Sequence, residues 1–209
     1  MEKVQVKKIG ILAFQGDVAE HSRIIEKLGH QSMEVRTIAD LDKVDALIIP
    51  GGESTTIGFF LETTGLGEEI KRRAIPNTPS EDWLVAPLPI WGTCAGAIIL
   101  AKKIESHIIP SHLGLMDMTV ARNAYGSQID SFYTSIDIPA LGIQDLKAAF
   151  IRAPIITEVH VRHHLSQPEI LARHQGKIVL VQQGKLLAST FHPELTNDQR
   201  LHEYFINSI

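Results

Sequence analysis

Apolar positions in the first hundred residues come in two alternating kinds of run. Residues 9–14 and 46–50 are compact apolar stretches ended by glycine or proline, a pattern that suits strands buried on both faces of a parallel sheet. Between them, residues 18–28 place Val18, Ile24, Ile25 and Leu28 at helical intervals and close at Gly29, while residues 33–38 read as a second short strand. The resulting order is β-α-β-α-β. Next comes the glycine turn Pro50-Gly51-Gly52-Glu53-Ser54-Thr55-Thr56, with Ser/Thr capping candidates, opening a helix that carries Ile57, Phe59, Phe60 and Leu61. The run Leu88-Pro89-Ile90-Trp91 then leads through Gly92-Thr93-Cys94-Ala95-Gly96 into Ala97-Ile98-Ile99-Leu100-Ala101, which reads as strand, sharp turn, helix.

The pattern changes in the second half. Residues 113–191 carry short strand-like stretches, such as 131–138, 149–152 and 177–183, with few helical signals, so this half reads as mostly β. A final helix over 197–207 presents Leu201, Tyr204 and Phe205 on one face, a core-packing stripe. Residues 75–88 hold Pro76, Pro79 and Pro87 among polar residues and read as a loop in which Trp83 docks on the domain body or meets a partner. Alternating β and α elements imply an open parallel sheet covered on both sides, with any ligand at the carboxyl ends of the strands. Cys94 and the Gly51-Gly52 turn both fall at that edge.

Composition narrows the class. A length of 209 residues suits one domain spanning 1–209, and 44% hydrophobic with 21% charged residues is ordinary for a soluble protein. No apolar run approaches a membrane span, and the start lacks the apolar core of a signal peptide, so a cytoplasmic protein without membrane partners is expected. With 20 Lys plus Arg against 24 Asp plus Glu and no basic run, nucleic-acid binding is not expected. A single cysteine excludes an internal disulfide.

A lone cysteine is ordinarily a small buried apolar residue. Its place at a glycine-flanked strand-to-helix turn argues instead for a nucleophile pushed out of the sheet, near helix-start N–H groups that favour the thiolate. A cysteine nucleophile needs a base and a group to orient that base, and His192-Pro193-Glu194 offers both: positions i and i+2 of an extended segment share a side. The other histidines, including His163-His164, show no metal-ligand spacing, so no metal and no cofactor are expected. Backbone N–H groups near Gly52 and at Ala95 are candidates for an oxyanion hole. Arg122, Arg152 and Glu53 are charged residues in apolar or glycine-rich contexts, and an arginine suits a substrate carboxylate.

Gln15-Gly16, Pro50 through Thr56, Gly92 through Gly96, Arg122-Asn123, Ser131-Phe132, Ile151-Arg152-Ala153-Pro154 and Phe191-His192-Pro193-Glu194-Leu195 together resemble the glutaminase subunits of pyridoxal 5'-phosphate synthase. These blocks span almost the whole chain. The resemblance implies a three-layer, flavodoxin-like class I glutamine amidotransferase fold, with a mostly parallel central sheet and helices on both faces. It also implies a Cys94-His192-Glu194 triad, with Gly52, Glu53, Ser54, Arg122, Ile151 and Arg152 at the glutamine-binding positions. The implied reaction is hydrolysis of L-glutamine to glutamate through a glutamyl thioester. Ammonia would pass to a synthase (lyase) subunit within a large hetero-oligomer, for vitamin B6 biosynthesis. Ile98 stands where many class I amidotransferases carry Gln, which argues against the anthranilate, imidazole-glycerol-phosphate and guanylate branches. Two departures stand out: Ser127 replaces the usual Arg, and the Pro-rich loop 76–89 is longer than usual; both bear on the partner contact. The rivals are a cysteine hydrolase of a related fold, which commonly places His directly after the nucleophile where Ala95 stands here, and a silent regulatory module, which the intact triad opposes.

Overall fold

The computed structural model describes residues 5–75, 86–106, 111–122, 131–161 and 166–209. In chain order its first half comprises β1 (Lys8–Leu12), α1 (Val18–Lys27), β2 (Gln31–Val35), α2 (Ile38–Leu41), β3 (Ala46–Ile49), α3 (Ser54–Thr63), α4 (Leu66–Ala74), β4 (Ile90–Thr93) and α5 (Ala95–Leu100). The second half comprises β5 (Ala101–Glu105), β6 (Met116–Ala121), β7 (Phe132–Ile138), β8 (Ile143–Phe150), β9 (Ile155–Val159), β10 (Glu169–His174), β11 (Lys177–Gln183), β12 (Leu186–Ser189) and α6 (Arg200–Asn207).

Among the described residues a 10-stranded sheet runs in the order β2-β1-β3-β4-β12-β11-β9-β6-β5, with β10 paired to β11. Strands β2, β1, β3, β4 and β12 are mutually parallel. The sheet turns antiparallel at β11, β9 and β6, and β5 rejoins β6 in parallel. The expected parallel arrangement therefore holds around Cys94, and the β-rich second half extends the same sheet. The pair β7-β8 stands apart as an antiparallel ribbon.

Period-two alternation splits the parallel strands between two cores. Leu47, Ile49 and Ile90 pack with Ile57 and Leu61 of α3, Ile70 of α4 and Ile99 of α5 on one face. Ala46, Ile48 and Trp91 pack with Ile25 of α1, Leu201 and Phe205 of α6, and Leu146 of the ribbon on the other. Helices thus cover both faces, and the expected stripe of α6 is core, with Leu201 and Phe205 buried and Tyr204 partly so.

Some boundaries differ from expectation for local reasons. β2 occupies residues 31–35 because Thr37 starts α2 through a capping box: the Asp40 N–H donates to Thr37 Oγ1 at 3.2 Å, and the Thr37 N–H donates to Asp40 Oδ2 at 3.1 Å. α6 begins at Arg200, after a turn in which Asp198 Oδ1 accepts from the Arg200 N–H at 3.2 Å. The strand expected at 149–152 is the end of β8, which stops at Phe150 because Arg152 turns to φ 44°. α4 went unread, although Leu66, Ile70 and Ala74 mark its buried side. Trp83, Ser127, His163, His164 and most of the Pro-rich loop lie outside the described residues.

One close contact beneath the site lies where α5 crosses β3. A Cβ added at Gly96 would sit 2.0 Å from the Ile49 carbonyl oxygen, so only glycine lets the helix lie against the strand. Gly96→Ala is expected to lower the unfolding free energy by about 3 kcal/mol, the upper range for overpacking. Urea denaturation checks this; a midpoint equal to that of the unmodified chain would show that the contact carries no such constraint.

Candidate active site

Cys94 occupies the turn between β4 and α5 at φ 47°, ψ −103°, a left-handed conformation that a non-glycine residue adopts only under constraint. Both flanks are tied down: the Cys94 N–H donates to Ser189 O at 2.8 Å, and Cys94 O accepts from the Ala97 N–H at 3.1 Å. The side chain is nearly covered, and its sulfur lies 4.0 Å from Ile151 O. The strand-turn-helix read from the glycine-flanked motif is present.

β12 lies beside β4 in register, pairing Ser189 with Thr93, and the chain beyond it reaches His192. There the His192 N–H donates to Ala149 O at 2.8 Å, fixing an extended backbone at the end of β8. The route to Glu194 differs from the expected i, i+2 extension. Residues Pro193–Leu195 form a single 3-10 turn, and this turn returns the Glu194 carboxylate to the ring. His192 Nδ1 lies 2.8 Å from Glu194 Oε1, with both side chains buried.

A second carboxylate, unread from the sequence, faces the same nitrogen. Asp17, at the start of α1, places Oδ2 3.2 Å from His192 Nδ1. Gly51 makes this convergence possible, since a Cβ there would meet His192 Cε1 at 2.3 Å and Asp17 Oδ2 at 3.1 Å. Burial works against a charged ring, but hydrogen bonding to Asp17, Cys94 and Glu194 outweighs it and pushes the His192 pKa up to about 12. Hydrogen bonding to His192 lowers the Asp17 pKa, whereas burial raises that of Glu194. Asp17, His192 and Glu194 hold ligand-type atoms within 4.8 Å of one another. The atoms that converge pair one ring nitrogen with two carboxylates, an arrangement that favours the protonated ring.

Glu53 caps α3, accepting from the N–H groups of Thr55 at 3.0 Å and Thr56 at 2.7 Å. Arg122 Nη2 donates to its Oε1 at 3.2 Å. Although partial burial raises the Glu53 pKa, these N–H donors overcome it and bring the carboxyl down to about 2. Ser54 is buried as the first residue of α3, and Arg152 stands at φ 44° in the bend after β8.

One cleft of about 320 Å³ is lined by Cys94, Ala95, His192, Gly52, Glu53, Ser54, Arg122, Ile151 and Arg152, with Gln15, Asp17, Ile98, Pro154 and Leu195 beside them. Every expected site residue meets there except Glu194, which lies behind His192. Asp17 was not among the candidates and Gln15 was quoted only as part of a motif block, yet both carried a usable signal. They directly follow β1 at the carboxyl edge of a parallel sheet, where ligands bind.

A family model described as the SNO glutamine amidotransferase family matches residues 11–209. The chain belongs to that family. It is 46% identical over 202 residues to the pyridoxal 5'-phosphate synthase subunit PdxT of Thermotoga neapolitana, covering 97% of this chain and 99% of the relative. PdxT of Carboxydothermus hydrogenoformans is 43% identical over 202 residues, covering 97% of each. A crystal structure of a glutamine amidotransferase superposes with a TM-score of 0.83 at 42% identity, covering 96% of this chain and 97% of that one. Among the described residues of this family member, no helix is long and apolar enough to cross a membrane.

The Glu53 cap has a testable pH signature. A carboxyl whose pKa falls from 4.5 to about 2 on folding contributes stability that is complete above 4.5 and lost as pH drops through 2. Glu53→Gln is therefore expected to cost about 1 kcal/mol near neutral pH. The gap from the unmodified chain should close as pH falls from 4.5 to 2. Denaturation curves across that range check it, and a gap that persists unchanged at the acid end would contradict the cap.

Proposed function

We propose that this chain is the glutaminase subunit of a pyridoxal 5'-phosphate synthase, hydrolysing L-glutamine through Cys94, His192 and Glu194. The observation that carries the reading is the single cleft in which a strained, nearly buried thiol, a doubly carboxylate-paired imidazole and two arginines meet. Arg122 and Arg152 suit the α-carboxylate of an amino acid, with Gly52, Glu53, Ser54 and Ile151 completing its site.

In this reading the Cys94 thiolate attacks the side-chain amide carbon of glutamine, and the oxyanion is held by backbone N–H groups near Gly52 and at Ala95. Each well-aimed donor is worth about 3 kcal/mol. The His192 imidazolium gives its proton to the departing nitrogen as the C–N bond breaks, leaving a glutamyl thioester and free ammonia. The neutral ring then takes a proton from water, hydroxide adds to the thioester carbon, and the C–S bond breaks to give glutamate and restore the thiolate. Glu194 holds the ring in position throughout. Ammonia in bulk water becomes ammonium, which is not nucleophilic, so productive transfer requires a shielded route into a docked synthase subunit. Residues 1–209 act in this scheme as one glutaminase domain in the cytoplasm, as part of a large hetero-oligomer.

Ammonia release from glutamine tests the assignment. Cys94→Ala and His192→Asn are expected to abolish turnover while leaving the fold intact by circular dichroism, and Glu194→Gln to be milder; retained turnover in either of the first two refutes the triad. The unmodified subunit alone is expected to be slow and to accelerate when a synthase subunit is added, and an equally fast free subunit would remove the link between docking and activity.

A further inference from the structure

Behind the triad lies a pair of buried histidines that the mechanism above does not use. His21 of α1 and His202 of α6 are both fully buried, with His21 Nδ1 2.9 Å from His202 Nε2. The other nitrogen of His21, Nε2, lies 3.6 Å from Glu194 Oε2 and 3.4 Å from Thr93 Oγ1, the residue before the nucleophile. Trp91 packs edge-on against both rings and fixes their planes. Two atoms at the ends of this row lack hydrogen-bond partners: Glu194 Oε2 and His202 Nδ1.

The row can be polarised in two directions. If Glu194 Oε2 carried a proton and donated to His21 Nε2, then His21 Nδ1–H would donate to His202 Nε2. His202 Nδ1 would then hold a buried N–H with nothing to receive it. If His202 Nε2–H donates to His21 Nδ1, His21 Nε2–H points at the carboxylate, and the unpartnered His202 Nδ1 is a bare lone pair. An orphaned buried donor is the more costly of the two, so the second direction is favoured. Burial lowers the pKa of both rings, that of His202 to about 3, which keeps them neutral and able to hold one tautomer.

We propose that His21 is a positioning residue whose Nε2–H, 3.6 Å from the unpartnered second oxygen of Glu194 here, closes on it as a hydrogen bond in the working enzyme, with His202 locking the tautomer, so that the row fixes the carboxylate that holds His192. This rests on the reading of Glu194 as the group that orients His192. The charged and titratable groups around the row are Asp17 just before α1, His21 on α1, His202 on α6, Glu194 and His192 after β12, and Cys94 at the turn.

Nitrogen-15 NMR of histidine-labelled full-length chain reads the tautomer directly, with the His21 signal assigned from its absence in His21→Gln. The expected result at pH 7 is a neutral ring protonated at Nε2; a ring protonated at Nδ1, or a charged ring, overturns the proposal whatever the activity. With the synthase subunit present, His21→Leu is expected to lower kcat about 10- to 100-fold, the range for losing a hydrogen bond to a charged group. Its KM should stay within about twofold, because His21 does not line the substrate cleft. The acidic limb of kcat/KM should move to higher pH, because an unsupported carboxylate protonates sooner. His21→Gln, which keeps an amide N–H near Nε2, should recover kcat to within about threefold. Equal impairment of the two variants, or none in either, overturns it. Failure of the glutaminase reading appears instead as absent turnover in the unmodified complex or retained turnover in Cys94→Ala, and neither result changes the tautomer.

Discussion

The site depends on the compulsion of one residue into a left-handed turn. Cys94 at φ 47° carries strain of about 1–3 kcal/mol, and such a conformation survives only where its surroundings over-determine it. Here the constraint comes from two directions. α5 lies so close to β3 that its second residue has no room for a side chain, and the amide of Cys94 is anchored on Ser189 of β12. The anchoring strand is the one that runs on to His192, so the positions of sulfur and imidazole are set by a single parallel ladder. Neither depends on a long loop.

Electrostatics builds on that frame. The imidazole meets two acids of different character: Glu194, sealed in the interior, and Asp17, partly open to the cleft. Burial alone would favour neutral forms of both the Glu194 carboxyl and the ring. Their contact, together with Asp17 and the thiol, favours a positive charge on the ring, which in a low-dielectric setting acts more strongly than in water. Glu53 and Arg122 form a second, shallower pair at the mouth, where a helix start and a guanidinium stabilise the same carboxylate.

Much of this was legible in the amino-acid string, for identifiable reasons. The strands at 46–49, 90–93 and 177–183 hold apolar cores, Ala46–Ile49, Ile90–Trp91 and Ile178–Val181, because the sheet is covered on both faces there, and Cys94 was marked by glycines that close packing requires. His192 and Glu194 are near neighbours in the chain, so their partnership needed no knowledge of the fold. His21 and His202 were not legible. A polar residue on an amphipathic helix looks like part of its solvated side, and His21 meets His202 across 181 positions, through the docking of the first helix against the last. Phe59 and Phe60 of α3 are apolar in type, yet stand exposed, with Phe60 stacked on Phe14. In the second half, short strands with register shifts hid the continuity of the sheet, because each carries too few alternating positions to announce its neighbours.

The position of β12 has a consequence for how the molecule comes into being. This strand, among the last elements to leave the ribosome, slots into the middle of the sheet, between β4 and β11. Until it does, the nascent chain holds a thiol whose turn lacks its anchor and whose imidazole has not yet emerged. Under the proposed mechanism, a copy truncated before β12 therefore lacks both the anchor of the Cys94 turn and the imidazole that serves it.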